Sequence, residues 1–538
     1  MPMTTASSDR SIDAATASPG SHALAPIRNQ AFTGAAGAAL LLLTGCTAPG
    51  PRYGEQAVQH RLAIDAPAVA AMLERTPRND PAAVEARWRE LLHTAPLTPH
   101  TSIEIALLRS PRLDAAFARL GLSRAELIAA TRLPNPTLGG SRIGADGAYK
   151  STVEFALGLG DLLLQPARRR LGSADYERAE RVVAHELLAL VADVESAWFA
   201  AVSARQVATM RDAVAQAATL GAQLAQRFFD AGNISALQLA AERAAASQAR
   251  LAAADAAVDA RRARLELLRS LGLDADPTLQ IPDRLPEPTP PPTTEVDALI
   301  ELALQRRADL DAARREVALL EDALQVARRW RLLGDLSIGA EREKEASGEV
   351  VRGPTLELAL PLFDQGQAGI ARAEARLAAA RAAQRELELE VGTAVRNAVD
   401  RLDTAAAAVV EHREVLLPAH HTIVDQQQRR QNFMLIGQFE LLLAKQQEYD
   451  AWQGQLEAIR DFWIARSDLE RAIGGALPSA ATPGADTGDA PGIGPQDLPG
   501  MPAEPDLYGV PPPAPATRSS STPHHDHAAA YPAQGSQP

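Results

Sequence analysis

Between Val207 and Phe228 the apolar positions step by three and four residues: Val207, Met210, Val214, Ala217, Gly221, Leu224 and Phe228. That spacing is the seam of a coiled coil. The surrounding helical pattern runs from about Pro166 to Phe229 with no internal proline. It predicts a helix of about 64 residues, some 95 Å long at 1.5 Å per residue. A second such pattern runs from about Gln367 to Leu417 and, past Pro418, to Met434. No compact core covers an element of that length, so each must pack lengthwise on other long helices, and the alanines and Gly221 permit close approach. Just ahead of each long helix the period changes to two. Val153, Phe155, Leu157 and Leu159 alternate with Thr152, Glu154, Ala156 and Gly158, while Leu356, Leu358 and Leu360 alternate with Thr355, Glu357 and Ala359. One apolar face opposite a small or polar face predicts strands, with weaker partners at about Thr137–Ile143 and Asp335–Glu341.

The same patterns occur twice. "NISALQLA" from Asn233 matches "LIGQFELL" from Leu435 at an offset of 202, which also superposes Arg269–Gly272 on Arg471–Gly474; "TVEFAL" from Thr152 meets "TLELAL" from Thr355 at 203. The body is therefore two copies of one unit. Each copy reads as a moderate helix (about 102 to 132, and 295 to 330), two short strands, a very long helix, a brief break and a return helix. The domain expectation is a leading segment 1–45, an extension 46–98 with no functional reading, a first repeat 99–280, a Pro-rich linker 281–294, a second repeat 295–475, and a Pro/Gly/Ala-rich tail 476–538 whose composition cannot bury a core.

Aromatic residues make up 4% of the 538, too few for ordinary globular layers, and Ala, Leu, Arg and Glu dominate, which favours long helices. The net charge of −13 argues against nucleic acid as a partner. After residue 45 no stretch approaches 18 apolar residues, so any further membrane passage falls to the strands. Open sheet edges are not tolerated in hydrocarbon, and closed barrels begin at about eight strands. Four strands per chain therefore require at least two protomers if the strands are in the membrane; a soluble two-hairpin sheet is the alternative. No enzyme signature stands: His185-Glu186 lacks the second His of a zinc protease motif, Gly140-Ser141 sits in no nucleophile elbow, and no Gly-rich loop precedes a Lys.

The only cysteine, Cys46, ends the most apolar run, "AALLLLTGC". A lone Cys makes no internal disulfide and has no metal-ligand spacing around it. The run, about 15 residues, is too short to span a bilayer. It reads as the core of an export signal, and Leu43-Thr44-Gly45-Cys46 resembles the bacterial lipobox, which implies lipidation of Cys46; Thr47 in place of Asp implies sorting to the outer membrane. The alternative is a buried Cys in a short core helix.

Lipobox, duplication, strand pair, long helix, tip and return helix together resemble the TolC-like outer membrane efflux proteins over about residues 99 to 475. The specific pieces are "LPNPTLGG" from Leu133, "LPLFDQGQ" from Leu360, and the tips "RFFDAGNISALQLAAE" and "RRQNFMLIGQFELLLAKQQ". The resemblance implies a mainly α fold with a small membrane β part: a homotrimer whose 12-stranded β-barrel in the outer membrane continues into a 12-helix barrel through the periplasm. It implies a passive duct opened by a periplasmic adaptor and fed by an inner-membrane pump of the RND type, with no catalytic residue and no resident cofactor. The breaks near Gly232 and Gly437 become the periplasmic tips. Arg227, Asp230, Gly232, Ser235 and Leu237 in the first, and Arg430, Leu435, Gly437, Phe439 and Leu442 in the second, become adaptor-contact and gate candidates. Plain chain reversal is the alternative for the tip glycines. The second tip departs from the commonest wording, Tyr-Arg-Ala-Gly followed by Ser and Asp, and only Glu440 could make its gate acidic. "MLIGQFELL" resembles members that accompany heavy-metal pumps, and His524, His525 and His527, with Asp526, form a metal-binding candidate in the tail. Drug efflux or type I secretion is the alternative cargo, and a periplasmic coiled-coil adaptor or scaffold the alternative class.

Overall fold

The structure is a computed structural model that describes residues 54–477 apart from 77–79, 95, 134, 146–147, 275–278, 289–294 and 332–335. Cys46 and the cluster His524, His525, His527 lie outside the described residues. Among the described residues five helices come first: α1 (Glu55–Asp65), α2 (Pro67–Arg75), α3 (Pro81–Thr94), α4 (Pro99–Arg109) and α5 (Pro111–Thr131). Then follow β1 (Thr137–Ala145), β2 (Ala148–Gly158), the long α6 (Leu159–Asp230) and its return α7 (Ala236–Leu271). The second copy repeats the order as α8 (Val296–Arg306), α9 (Ala308–Arg329), β3 (Leu336–Lys344), β4 (Val350–Leu358), α10 (Gln367–Glu411), α11 (Leu417–Asn432) and α12 (Gln438–Ile473).

The moderate helix expected at the head of each copy is a pair of helices. Pro111 has no N–H to continue the α4 ladder, and Ser110 before it is extended at φ −66°, ψ 117°. The second copy breaks at the corresponding place without a proline, at Arg307 (φ −61°, ψ 118°). Tertiary packing explains both. Gly272, left-handed at φ 71°, closes α7 so tightly on α4 that a Cβ would lie 2.5 Å from the Arg109 carbonyl oxygen, and Gly474, at φ 80°, closes α12 with a Cβ position 3.1 Å from Arg307 Cα. The duplicated Arg-x-x-Gly endings are therefore helix stops seated in the helix-pair breaks.

At 72 residues α6 is about 108 Å long. By length and composition alone it holds a window apolar enough to cross a membrane (mean hydropathy 1.6), although no run of 18 apolar residues occurs in it. Half of that window is buried, and Val194, Trp198 and Val202 join the core with Val395, Leu402, Phe462 and Leu469 of α10 and α12. The apolarity is thus spent on helix packing. A π-helical turn, His412–Leu416, joins α10 to α11 without breaking the rod. Pro418 cannot donate to the Glu414 carbonyl and would collide with it in a regular helix; the widened turn removes both problems.

One hydrophobic core binds the two copies near mid-length. Phe199 stacks on Trp463 at 5.3 Å, Trp198 Nε1 donates to the Leu97 carbonyl at 2.7 Å, and Trp463 Nε1 donates to that of Pro286 at 3.0 Å. The first part of the linker is thereby strapped across the helices, with Leu279, Ile281 and Leu285 buried. The N-terminal extension belongs to the same core: Val58, Leu62, Ala70 and Leu73 are buried, and Arg61 pairs with Asp311 of α9 at 3.1 Å.

The strands form one antiparallel sheet in the order β1-β2-β3-β4, so the copies join through β2 and β3. Unbroken register puts Leu138, Phe155, Ala340 and Pro354 in one row and Leu157, Ile338 and Leu356 in the next, all on one face. The other face carries mostly small, polar or acidic residues, with Ile143, Lys150 and Val351 toward the hairpins, and is tightly curved: a Cβ on Gly339 would meet the Phe155 carbonyl oxygen at 2.4 Å. The strands extend further toward their hairpins than expected, because Tyr149, Val350 and Val351 continue the ladder.

Candidate functional site

The far ends of the two helical hairpins hold every tip residue singled out from sequence. In the first tip Arg227 and Asp230 lie in the last turn of α6, exposed, with Asp230 accepting from Gln226 Nε2 at 2.6 Å. Gly232 is left-handed at φ 75°. The bonds Asn233 N–H to the Phe228 carbonyl (2.8 Å) and Gly232 N–H to that of Phe229 (2.9 Å) complete a Schellman stop. Ser235 is the N-cap of α7: its hydroxyl accepts from Gln238 N–H at 3.2 Å, while Gln238 Oε1 accepts from Ser235 N–H at 3.0 Å. Leu237 projects from the first turn, 79% exposed.

The second tip uses the same bonds with different residues. Leu435 N–H donates to the Arg430 carbonyl at 2.9 Å and Met434 N–H to that of Gln431 at 2.8 Å, so the left-handed position is Met434, at φ 56°. Gly437 is not the reversal glycine. It has ordinary extended angles (φ −79°, ψ 164°) and stands where Ser235 stands in the first tip, as N-cap of α12. With no side chain, it keeps half the cap: its N–H donates to Glu440 Oε2 at 3.1 Å. Glu440, the one acidic-gate candidate, is therefore engaged in closing a helix end.

Two candidates face inward. Phe439 is half-buried, and the half-buried Leu442 lies over Gly221 of α6, its Cδ1 3.2 Å from where a Cβ would be. Leu442 is thus a packing knob that sets the two hairpins side by side. Below it Arg211 of α6 reaches α12, with Nε 2.6 Å from Gln453 Oε1 and Nη1 2.7 Å from Asp450 Oδ1. Between α11 and α12 the buried Glu448 is held by Lys445 Nζ (2.9 Å) and His421 Nδ1 (3.3 Å). Burial raises the pKa of Glu242, on the α7 face toward Gly221.

The sequence reading passed over Phe433 and Met434, 77% and 93% exposed at the apex. With Leu435 and Leu237 they make the tips apolar where a solvated hairpin end would be polar. The signal was available, since the offset of 202 puts Met434 on Gly232. A residue with a Cβ in a left-handed conformation, its side chain in solvent, costs stability and gains no burial.

No family model matches the chain. Protein CyaE of Bordetella pertussis is 30% identical over 336 residues, covering 57% of this chain and 69% of the relative. The chain belongs to the TolC-like outer membrane factor family. The fold is that of solved members. The Campylobacter jejuni CmeC outer membrane channel superposes with a TM-score of 0.61 at 14% identity, over 70% of this chain and 85% of that one. The outer-membrane channel OprN gives 0.60 at 20%, over 72% and 92%, and the Vibrio cholerae outer membrane protein VceC 0.56 at 17%, over 72% and 96%.

Proposed function

We propose that this protein is the outer membrane duct of a tripartite exporter. It acts as a homotrimer, anchored by lipid on Cys46, docked at its tips to a periplasmic adaptor and supplied by an inner-membrane pump of the RND type. One observation carries the reading: among the described residues, a four-stranded sheet with two open edges and an apolar outer face sits on helices about 100 Å long. Open edges in a bilayer must be closed by other copies, and three protomers supply twelve strands. The duct moves cargo passively, and the energy comes from the partner pump. Heat-resistant trimers in outer membrane fractions test this; a monomer in the periplasmic fraction would favour the adaptor or scaffold reading.

Heavy-metal cations are the proposed cargo. Supporting them, the inner face of the sheet carries Glu154, Glu341, Glu343 and Glu357 against one basic residue, Lys150, which Glu343 already neutralises at 2.5 Å. A carboxylate-lined exit favours cations and repels anions. The His524, His525 and His527 cluster is proposed as an auxiliary metal-holding segment. Growth of a deletion strain on copper, silver, zinc, cobalt, nickel and cadmium, beside dyes, detergents and antibiotics, decides the cargo. Sensitivity confined to organic compounds leaves a drug-efflux duct, and loss of a secreted protein leaves type I secretion.

A further inference from the structure

The sheet separates charge by sign. Its carboxylates, Glu154, Glu341, Glu343 and Glu357, share the inner face with Lys150, whereas Arg142, Arg342, Lys344 and Arg352 fall on the apolar outer face. All four outer cations lie in the hairpin half of their strands, beyond the rows of Leu138, Phe155, Leu157, Ile338 and Leu356. Along β3 the outer positions Ile338, Ala340, Arg342 and Lys344 are exposed, while Gly339, Glu341 and Glu343 between them are half-buried, as expected for a convex outer side. Among the described residues none of the four has a carboxylate partner. Arg142 lies against the Tyr149 ring, 4.2 Å from its centroid. Arg342 and Arg352 stand directly opposite each other on adjacent strands, an arrangement that is repulsive unless an anion sits between them. Guanidinium pairs are suited to phosphate oxygens. Cations are tolerated on a lipid-facing strand near the interface but not at the bilayer midplane.

We infer that Arg142, Arg342, Lys344 and Arg352 form a basic belt that docks phosphate-bearing lipid headgroups around the hairpin end of the barrel. The inference rests on the barrel reading above. The anion resolves the Arg342–Arg352 repulsion, and the belt fixes how deeply the barrel sits, with the leucine and phenylalanine rows in hydrocarbon below it.

The test uses the full-length trimer reconstituted in phosphatidylcholine vesicles containing a small fraction of spin-labelled phosphatidic acid, or spin-labelled phosphatidylcholine as reference. The readout is the motionally restricted lipid fraction at the protein surface. Phosphatidic acid should be selected about fivefold over phosphatidylcholine. R142Q/R342Q/K344Q/R352Q should lose that selection, while the inner-face variant E154Q/E341Q/E357Q should keep it. If the fourfold variant does not trimerise, R342Q/R352Q is the substitute and should lose most of the selection. A wild-type trimer that restricts both lipids equally, or a belt variant that still selects phosphatidic acid, overturns the belt and leaves the barrel standing. Selection abolished by low inorganic phosphate but not by equal ionic strength of chloride overturns headgroup docking in favour of a free-anion site. Restricted lipid of neither kind overturns the barrel reading itself.

Discussion

Met434 occupies a left-handed position that its counterpart Gly232 fills without strain. The cost of a Cβ there is of order 1 kcal/mol, and an apex side chain 93% exposed recovers none of it by burial within the protomer. Met434→Gly should therefore raise stability by about 1 kcal/mol in thermal denaturation, while weakening binding to the proposed adaptor; unchanged adaptor binding would reduce the residue to a tolerated accident. At mid-length a different residue works against the fold. Burial, reinforced by the neighbouring Glu195, raises Glu470 to a pKa of about 7, from an ordinary 4.5. Burial raises Glu195 as well, even though Ser467 Oγ donates to it at 2.8 Å. The folded chain then holds a proton that the unfolded chain releases, so stability falls as pH rises between about 4.5 and 7 and levels off above. Glu470 keeps 29% of its side chain at the surface, which limits the effect to a few kcal/mol at most. Glu470→Gln should flatten the slope of melting temperature against pH in that window and stabilise the protein at pH 8; a slope that is unchanged would move its origin elsewhere.

At the scale of elements, the two hairpins of one protomer are held together by few contacts near the tips. Tyr449 of α12 packs on the seam of Val214, Ala215 and Ala249 inside the first hairpin, Leu442 covers Gly221, and Arg211 spans from α6 to Gln453 and Asp450. Asp450 is half-exposed, so the Arg211 tie is worth roughly 1 kcal/mol, enough to bias an opening without forbidding it. Arg211→Ala should raise single-channel conductance in planar bilayers with little change in melting temperature. The same element-level reasoning explains what the sequence made legible. Alternation and the 3.6-residue period located the strands and the long helices because each follows from its own side chains. The α4–α5 break carries a local mark in Pro111, whereas the α8–α9 break has no proline and depends on Gly474 arriving from far along the chain. For Gly437 the alternative of plain chain reversal fails, because cap bonds, which are visible only in three dimensions, assign that place to Met434.

For the whole molecule, the proposed anchor and the proposed barrel make separable predictions. Cys46→Ala should abolish incorporation of labelled palmitate while leaving heat-resistant trimers; loss of trimers would make the lipid part of assembly. Removing residues 520 to 538 should lower metal binding and metal tolerance if the histidine cluster serves the duct, and the auxiliary role is dropped if neither changes. By itself the sequence determined the duplication, the rod-like helices, the four strands and their apolar face, because periodicity and repeat offset are properties of neighbours along the chain. It also showed that four strands cannot close alone. Only the tertiary structure decided that β2 pairs with β3 to join the copies, that the linker is strapped over Trp463, and that charge sign divides across the sheet. Those are matters of register and of residues more than a hundred positions apart, and a one-residue slip would have put every Glu outside and every leucine within.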